Sequence, residues 1–315
     1  MSSLIPRRSL LATAAASALL AACAGEAAAP GARTSLSPQQ ALQVGTQLSR
    51  ELGSSIASLA LGSGGGLALV ASPAFAASPA FTRVASATAA VPCPTPDNMS
   101  DADHDGIPDN ATFTFALPQC RTIVNGDTTD LTGSVRVSDP VFSPPPDLQA
   151  FGYRASIANL VVRLGSATAD SSYTETRNGE LALVAGTAGM AQEHAFDIVR
   201  VDHGGTSHLV TQWHTTFVPA TGTALVIGAP LPHGFFSAQG TTAWQRAEFA
   251  RQFARQFAIA TAQPLEFDPS CAATAPNRFR SGEVRAVVAG SGGQAFVRIV
   301  FANCAEPAIT VQSGG

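Results

Sequence analysis

Residues 101–110 hold the densest chemistry in the sequence. Asp101-Ala102-Asp103-His104-Asp105-Gly106-Ile107-Pro108-Asp109-Asn110 sets four carboxylates at spacings of two, two and four. Like charges so close repel one another unless a cation lies among them. Calcium suits the pattern, because it takes about six to eight hard oxygens at about 2.4 Å from a tight loop. Alternate aspartates point to one side, Gly106 permits a sharp reversal, the Ile107 carbonyl can turn inward, and Pro108 stiffens the exit. The competing reading is an acidic, solvated turn. Metal catalysis would need an open coordination position and a neighbouring base. Only His104 is near, and it alternates away from the aspartates, so the expected role is structural.

The run begins like an EF-hand loop, but Thr112 occupies the twelfth position, where that loop carries a bidentate Glu. It more closely resembles the aspartate-rich calcium repeats of the thrombospondin type 3 class. It matches their Asp-x-Asp-x-Asp-Gly-x-x-Asp pattern at every defined position. The resemblance covers these ten residues, in one copy where that family has many. It implies Asp101, Asp103, Asp105 and Asp109 as side-chain ligands and Ile107 as a backbone ligand.

Other constellations are weaker. Of the six histidines, His194, His208 and His214 share sequence parity, but no pair has the close spacing of zinc motifs. There is no Gly-x-Ser-x-Gly elbow and no His-Glu-x-x-His, and Asp202-His203 beside serines is too common a juxtaposition to mark a triad. All 18 basic residues are arginine. The missing lysine excludes a P-loop, a Schiff-base enzyme and a Ser-Lys hydrolase. Acids outnumber bases 22 to 18, which argues against a nucleic-acid partner. The chain is 45% hydrophobic and 13% charged, which argues against disorder. No catalytic constellation emerges, and the expectation is a protein that is not an enzyme.

The N-terminus places the chain. Arg7-Arg8, an apolar run from Ser9 to Leu20, and small residues to Ala22 form a secretory signal over residues 1–22. The run is too short to span a bilayer, which takes roughly 20 residues. Leu20-Ala21-Ala22-Cys23 resembles the lipobox of bacterial lipoproteins, which implies cleavage before Cys23 and diacylation of its thiol. Ala24, not being Asp, then implies the outer membrane as destination, with the membrane as a partner through Cys23. Pro6-Arg7-Arg8-Ser9-Leu10-Leu11 also resembles a loose twin-arginine signal, so the export route stays open. Removing Cys23 from the five cysteines leaves four, which in an oxidising compartment reads as two disulfides. Of the three possible pairings the sequential one is expected, Cys93 with Cys120 and Cys271 with Cys304. Each pair brackets a short β segment and is worth about 3 to 4 kcal/mol on the chain-entropy model.

These features must be carried by a scaffold. Residues 23–36, rich in Ala, Gly and Pro, read as a flexible tether, and 37–315 as one mainly β domain. Ser37-Pro38-Gln39-Gln40 has the composition of a helix start. Apolar residues at Leu42, Leu48, Leu52, Ile56, Leu59 and Leu61 predict an amphipathic helix over 38–61, stopped by Gly62–Gly66. Period-two alternation then dominates, as in Thr112–Phe115 and Gly133–Val137. Asn178-Gly179 and Gly204-Gly205 read as hairpin turns. Further runs at 149–164, 223–228, 234–243, 281–289, 294–303 and 307–312 bring the total to about a dozen strands. Phe249, Phe253 and Phe257 fit a helix stripe or one strand face; the β idiom of Ile259–Thr261 and Leu265–Phe267 favours strand. The two Cys-bracketed segments form a weak internal repeat.

The expected fold is a large antiparallel meander, curled or half-barrel-like, with the N-terminal helix packed on it. The whole pattern resembles a group of exported lipoproteins of high-GC bacteria that carries no known activity. The leading expectation is therefore a calcium- and disulfide-stabilised envelope lipoprotein with a binding or scaffolding role. The alternatives are a carrier whose half-barrel encloses a lipid or other hydrophobic ligand, and a hydrolase built from distant residues.

Overall fold

Ser37 opens the helix with a reciprocal cap. Its hydroxyl accepts from the Gln40 amide at 3.2 Å, and its own amide donates to Gln40 Oε1 at 3.0 Å. With Pro38 at the first helical position, this closes the N-terminus of α1 (Pro38–Ser58). The last turn tightens where the Leu59 amide donates to the Ile56 carbonyl at 3.2 Å. The helix thus ends at Ser58, short of the expected Leu61. A computed structural model describes residues 36–59, 93–103, 107–124, 127–140, 152–165, 172–186, 188–226, 231–248, 251–271, 277–291 and 295–312. The expectations for the signal, Cys23, the tether and Gly62–Gly66 lie outside these residues.

Among the described residues thirteen strands follow. They are β1 (Thr95–Pro96), β2 (Asn110–Phe115), β3 (Arg121–Val124), β4 (Asp127–Ser138), β5 (Gly152–Gly165), β6 (Tyr173–Gly186) and β7 (Gly189–Asp202). The remainder are β8 (Gly205–Pro219), β9 (Gly234–Glu248), β10 (Arg251–Phe267), β11 (Phe279–Val288), β12 (Phe296–Ala302) and β13 (Ala308–Gln312). They form one antiparallel sheet in the order β1-β2-β4-β5-β6-β7-β8-β9-β10-β11-β12-β13, with β3 beside β4. This is the antiparallel meander that the strand alternation implied, and it is open.

The sheet curls around α1. Gly45 packs directly on Ile309 of β13, while Glu51, six residues on, reaches Arg177 of β6. Six residues advance a helix by about 9 Å. On a flat sheet, strands seven places apart would lie about 34 Å from each other. Only a bent sheet brings both strands to one helix. Val44, Leu48, Leu52 and Ile56 are buried in the same core as Phe113, Tyr153, Trp213, Phe236, Phe279 and Phe301.

Two further expectations are corrected. Asn178-Gly179 is no hairpin turn but sits mid-strand, opposite Asp197 and Phe196 of β7. Its partner on the other side is the β-bulge of β5, where Asn159 adopts φ 49° and donates its amide to Asn178 Oδ1 at 2.7 Å. The dipeptide serves the bulge, and β6 runs unbroken through it. Thr223–Val226 is a loop, because the Thr223 amide and hydroxyl both close a turn onto the Ala220 carbonyl, at 3.0 and 2.7 Å. Over 246–262 the favoured strand reading is borne out among the described residues: β9 and β10 pair from Glu248–Arg251 inward, and Phe257 is buried on the core face. Gly204-Gly205 does turn the chain, with Asp202 opposite Gly205.

Candidate functional site

The aspartate-rich loop is held shut by its own hydrogen bonds. At its base the Thr112 amide donates to Asp97 Oδ1 at 2.6 Å, and the Asp97 amide returns a bond to the Thr112 carbonyl. The bond from the Thr112 amide holds the Asp97 carboxyl below its ordinary range. Higher up, Asp109 Oδ2 accepts from Ser100 Oγ at 2.9 Å and Oδ1 from the Ala102 amide at 3.2 Å. The Ile107 side chain is fully buried in the core, which leaves its carbonyl as the group it can offer a ligand. His104, Asp105 and Gly106 lie outside the described residues. Among those described, no three His, Cys, Asp or Glu groups gather around one point. The donors are hard oxygens of the kind calcium takes, and each Asp109 oxygen keeps a lone pair beyond its hydrogen bond.

Both disulfides form as the spacing implied, Cys93 with Cys120 and Cys271 with Cys304. The first links the approach to β1 with the β2–β3 connection and so closes a covalent ring around the aspartate loop. The second ties the β10–β11 connection to the end of β12.

A charged network lies inside the curl. Alongside its apolar stripe, α1 buries a polar one, Gln47, Glu51 and Ser55, spaced four residues apart. Glu51 Oε1 lies 3.1 Å from Arg177, which lies 3.3 Å from Glu175 on the same strand. Arg200 continues the series, 3.9 Å from Glu175 and stacked 3.7 Å above the Tyr173 ring. Arg246 closes on Asp202 at 3.2 Å. Burial raises the Glu51 carboxyl pKa, against the pull of Arg177. Burial alone would lower Arg177, but Glu51 and Glu175 together outweigh it and the guanidinium stays charged. Nearby, His194 is pushed down to about 3 by burial and by the Arg177 charge. A sequence signal existed in the four-residue spacing of Gln47, Glu51 and Ser55, but polar residues on a helix ordinarily read as its wet face.

The histidine trio does not assemble. His194 lies on the core face of β7, whereas His208 and His214 stand on the outer face of β8 with Asp197 and Glu193. A serine, an acid and a histidine do meet at Glu266, which accepts from Ser281 Oγ at 2.8 Å and lies 3.1 Å from His233 Nε2. The acid occupies the centre of this trio. A nucleophilic triad needs the histidine there, between serine and acid. A cavity of ≈ 300 Å³ opens at the strand ends of β4–β7, lined by Asp130, Arg163, Tyr173 and Asp202 among others, with no residue of α1. No protein-family model, curated protein or solved structure matches the chain.

Proposed function

We propose that the chain is a non-enzymatic lipoprotein of the bacterial envelope, anchored through Cys23, whose broad sheet serves binding or scaffolding. The observation that carries this reading is the seating of α1. Leu48, Leu52 and Ile56, with the Glu51–Arg177 pair, occupy the concave side of the sheet, where a carrier would keep its ligand. What remains for a partner is the outer face and rim. Mass spectrometry after organic extraction of the native protein tests this: the expected result is no stoichiometric lipid. A bound lipid at one per chain overturns the reading in favour of the carrier, with α1 displaced by its cargo. Turnover in a broad ester and glycoside screen would overturn the non-enzymatic part.

Export and anchoring rest on the signal sequence and on two disulfides suited to an oxidising compartment. Two or three acyl chains on one cysteine hold a protein stably at a membrane. Radiolabelled palmitate should enter the full-length protein and be lost in Cys23→Ser.

In this reading the aspartate loop binds one structural calcium that stiffens the entry to β2, through Asp101, Asp103, Asp105, Asp109 and the Ile107 carbonyl. Support comes from the hard-oxygen donor set and from a loop already closed at Asp97–Thr112 and Asp109–Ser100. Calorimetry with calcium should give one-to-one binding heat that disappears in Asp103→Ala; no heat above buffer in the wild type removes calcium from the proposal.

A further inference from the structure

Three polar atoms on the core face of β7 and β8 have no hydrogen-bond partner among the described residues: His194 Nε2, Thr211 Oγ1 and Thr215 Oγ1. All are deeply buried, with His194 5% exposed and both threonines 0%. Register puts His194 opposite Trp213, so that Thr211 and Thr215 are its two diagonal neighbours on the next strand. Two contacts tie down polar groups beside them. Trp213 Nε1 donates to Thr242 Oγ1 at 2.9 Å, and Gln192 Nε2 lies 3.2 Å from His194 Nδ1.

That last contact fixes the chemistry. The Gln192 amide nitrogen is only a donor, so Nδ1 accepts and the neutral ring carries its proton on Nε2. The ring stacks on Phe196 at 4.8 Å and lies 5.4 Å from Trp213, which holds its orientation. Nε2–H is therefore a fixed donor facing no acceptor among aromatic neighbours. Burying such a group unpaired is unfavourable, and native proteins meet the need with bound water.

We infer that this patch is an internal hydration site, in which water accepts from His194 Nε2–H and serves the Thr211 and Thr215 hydroxyls. The two threonines are about 13 Å apart along β8, too far for one water to reach both. Two molecules are needed, one beside each threonine. Water fits better than an ion, because the nearest charge, Arg177, is already held by Glu51 and Glu175. The inference does not depend on the proposed envelope role.

Oxygen-17 magnetic relaxation dispersion counts long-lived internal waters, and nitrogen-15 NMR reads the His194 tautomer. The wild type should show a protonated, slowly exchanging Nε2 with a cross-relaxation peak to water. Thr211→Val and Thr215→Val, near-isosteric losses of one hydroxyl, should each lower the water count by one. A proton on Nδ1, an Nε2–H without a water peak, or an unchanged count in both folded variants overturns the site. Should neither variant fold, the wild-type histidine spectrum decides alone.

Discussion

Arg177 is the residue on which the interior charge balance turns. Its guanidinium is 2% exposed and lies between Glu51 of the helix and Glu175 of its own strand. Breaking a buried pair by removing one partner leaves an uncompensated charge and costs about 3 to 5 kcal/mol. Arg177→Ala should therefore lower the unfolding free energy by that amount in urea. Glu51→Leu with Arg177→Leu should cost far less, since Glu175 keeps Arg200 nearby. Equal losses in single and double variants would show that the pair's geometry, and not its charge, matters. His194 adds a pH dependence. Its folded pKa, near 3, lies below the unfolded value of 6.5, so the unfolded chain binds the extra proton. Its contribution is complete above about pH 6.5 and is lost as pH falls toward 3, at up to about 1.4 kcal/mol per pH unit. Glu51 acts with the opposite sign, because its folded pKa is raised and its protonated form is favoured in the fold. The difference between wild type and His194→Phe at pH 7 and pH 5 isolates the histidine. An identical pH slope in both proteins would contradict the assignment.

At the scale of elements, α1 was legible because its signals are local. The cap lies within four residues, Ser37 to Gln40, and the apolar stripe repeats within two turns. Ser37→Ala should cost about 1 kcal/mol, measured by thermal unfolding. The docking of α1 rests on Gly45, where a Cβ would sit 2.5 Å from Ile309 Cγ2. Gly45→Leu should push the helix off β13 and cost about 1 to 3 kcal/mol, despite leucine's better helix propensity. Faster amide exchange in β13 would report the same displacement. Asn178-Gly179 reads as a turn for the same local reason that α1 reads as a helix, yet it sits inside β6. The deciding partner was Asn159, 19 residues away on another strand, whose bulge takes the Asn178 side chain. Turn propensity lost to a sheet register that the dipeptide alone does not encode.

For the whole molecule, the question is how an open sheet of thirteen strands keeps one shape. Its strands reach 17 residues, against the usual five or six, and its two outermost strands have only two and five. Curling around α1 covers the apolar face, and the disulfides fasten the β1–β2 edge and the β10–β12 region. On the chain-entropy model each staple is worth about 3 to 4 kcal/mol. Reduction should therefore lower the urea midpoint markedly, with Cys93→Ser/Cys120→Ser and Cys271→Ser/Cys304→Ser each accounting for part of the loss. A midpoint unmoved by reductant would mean that the curled sheet and helix suffice.

The sequence by itself determined the mainly antiparallel sheet, the capped helix and the one loop dense in carboxylates, and it favoured the sequential pairing of the cysteines. All of these rest on spacing: period two, period 3.6, or partners within a few dozen residues. The tertiary structure decided the curl, the filling of the concave face by α1 and the burial of Glu51 against Arg177. Those two residues are 126 positions apart in the chain. They meet only because the sheet bends around the helix across the seven inter-strand steps from β6 to β13, and a polar side chain's surroundings depend on that accumulated curvature. For the same reason Gln47, Glu51, Ser55 and His194, which the sequence presents as ordinary surface or scattered polar residues, became the interior features that call for a chemical explanation.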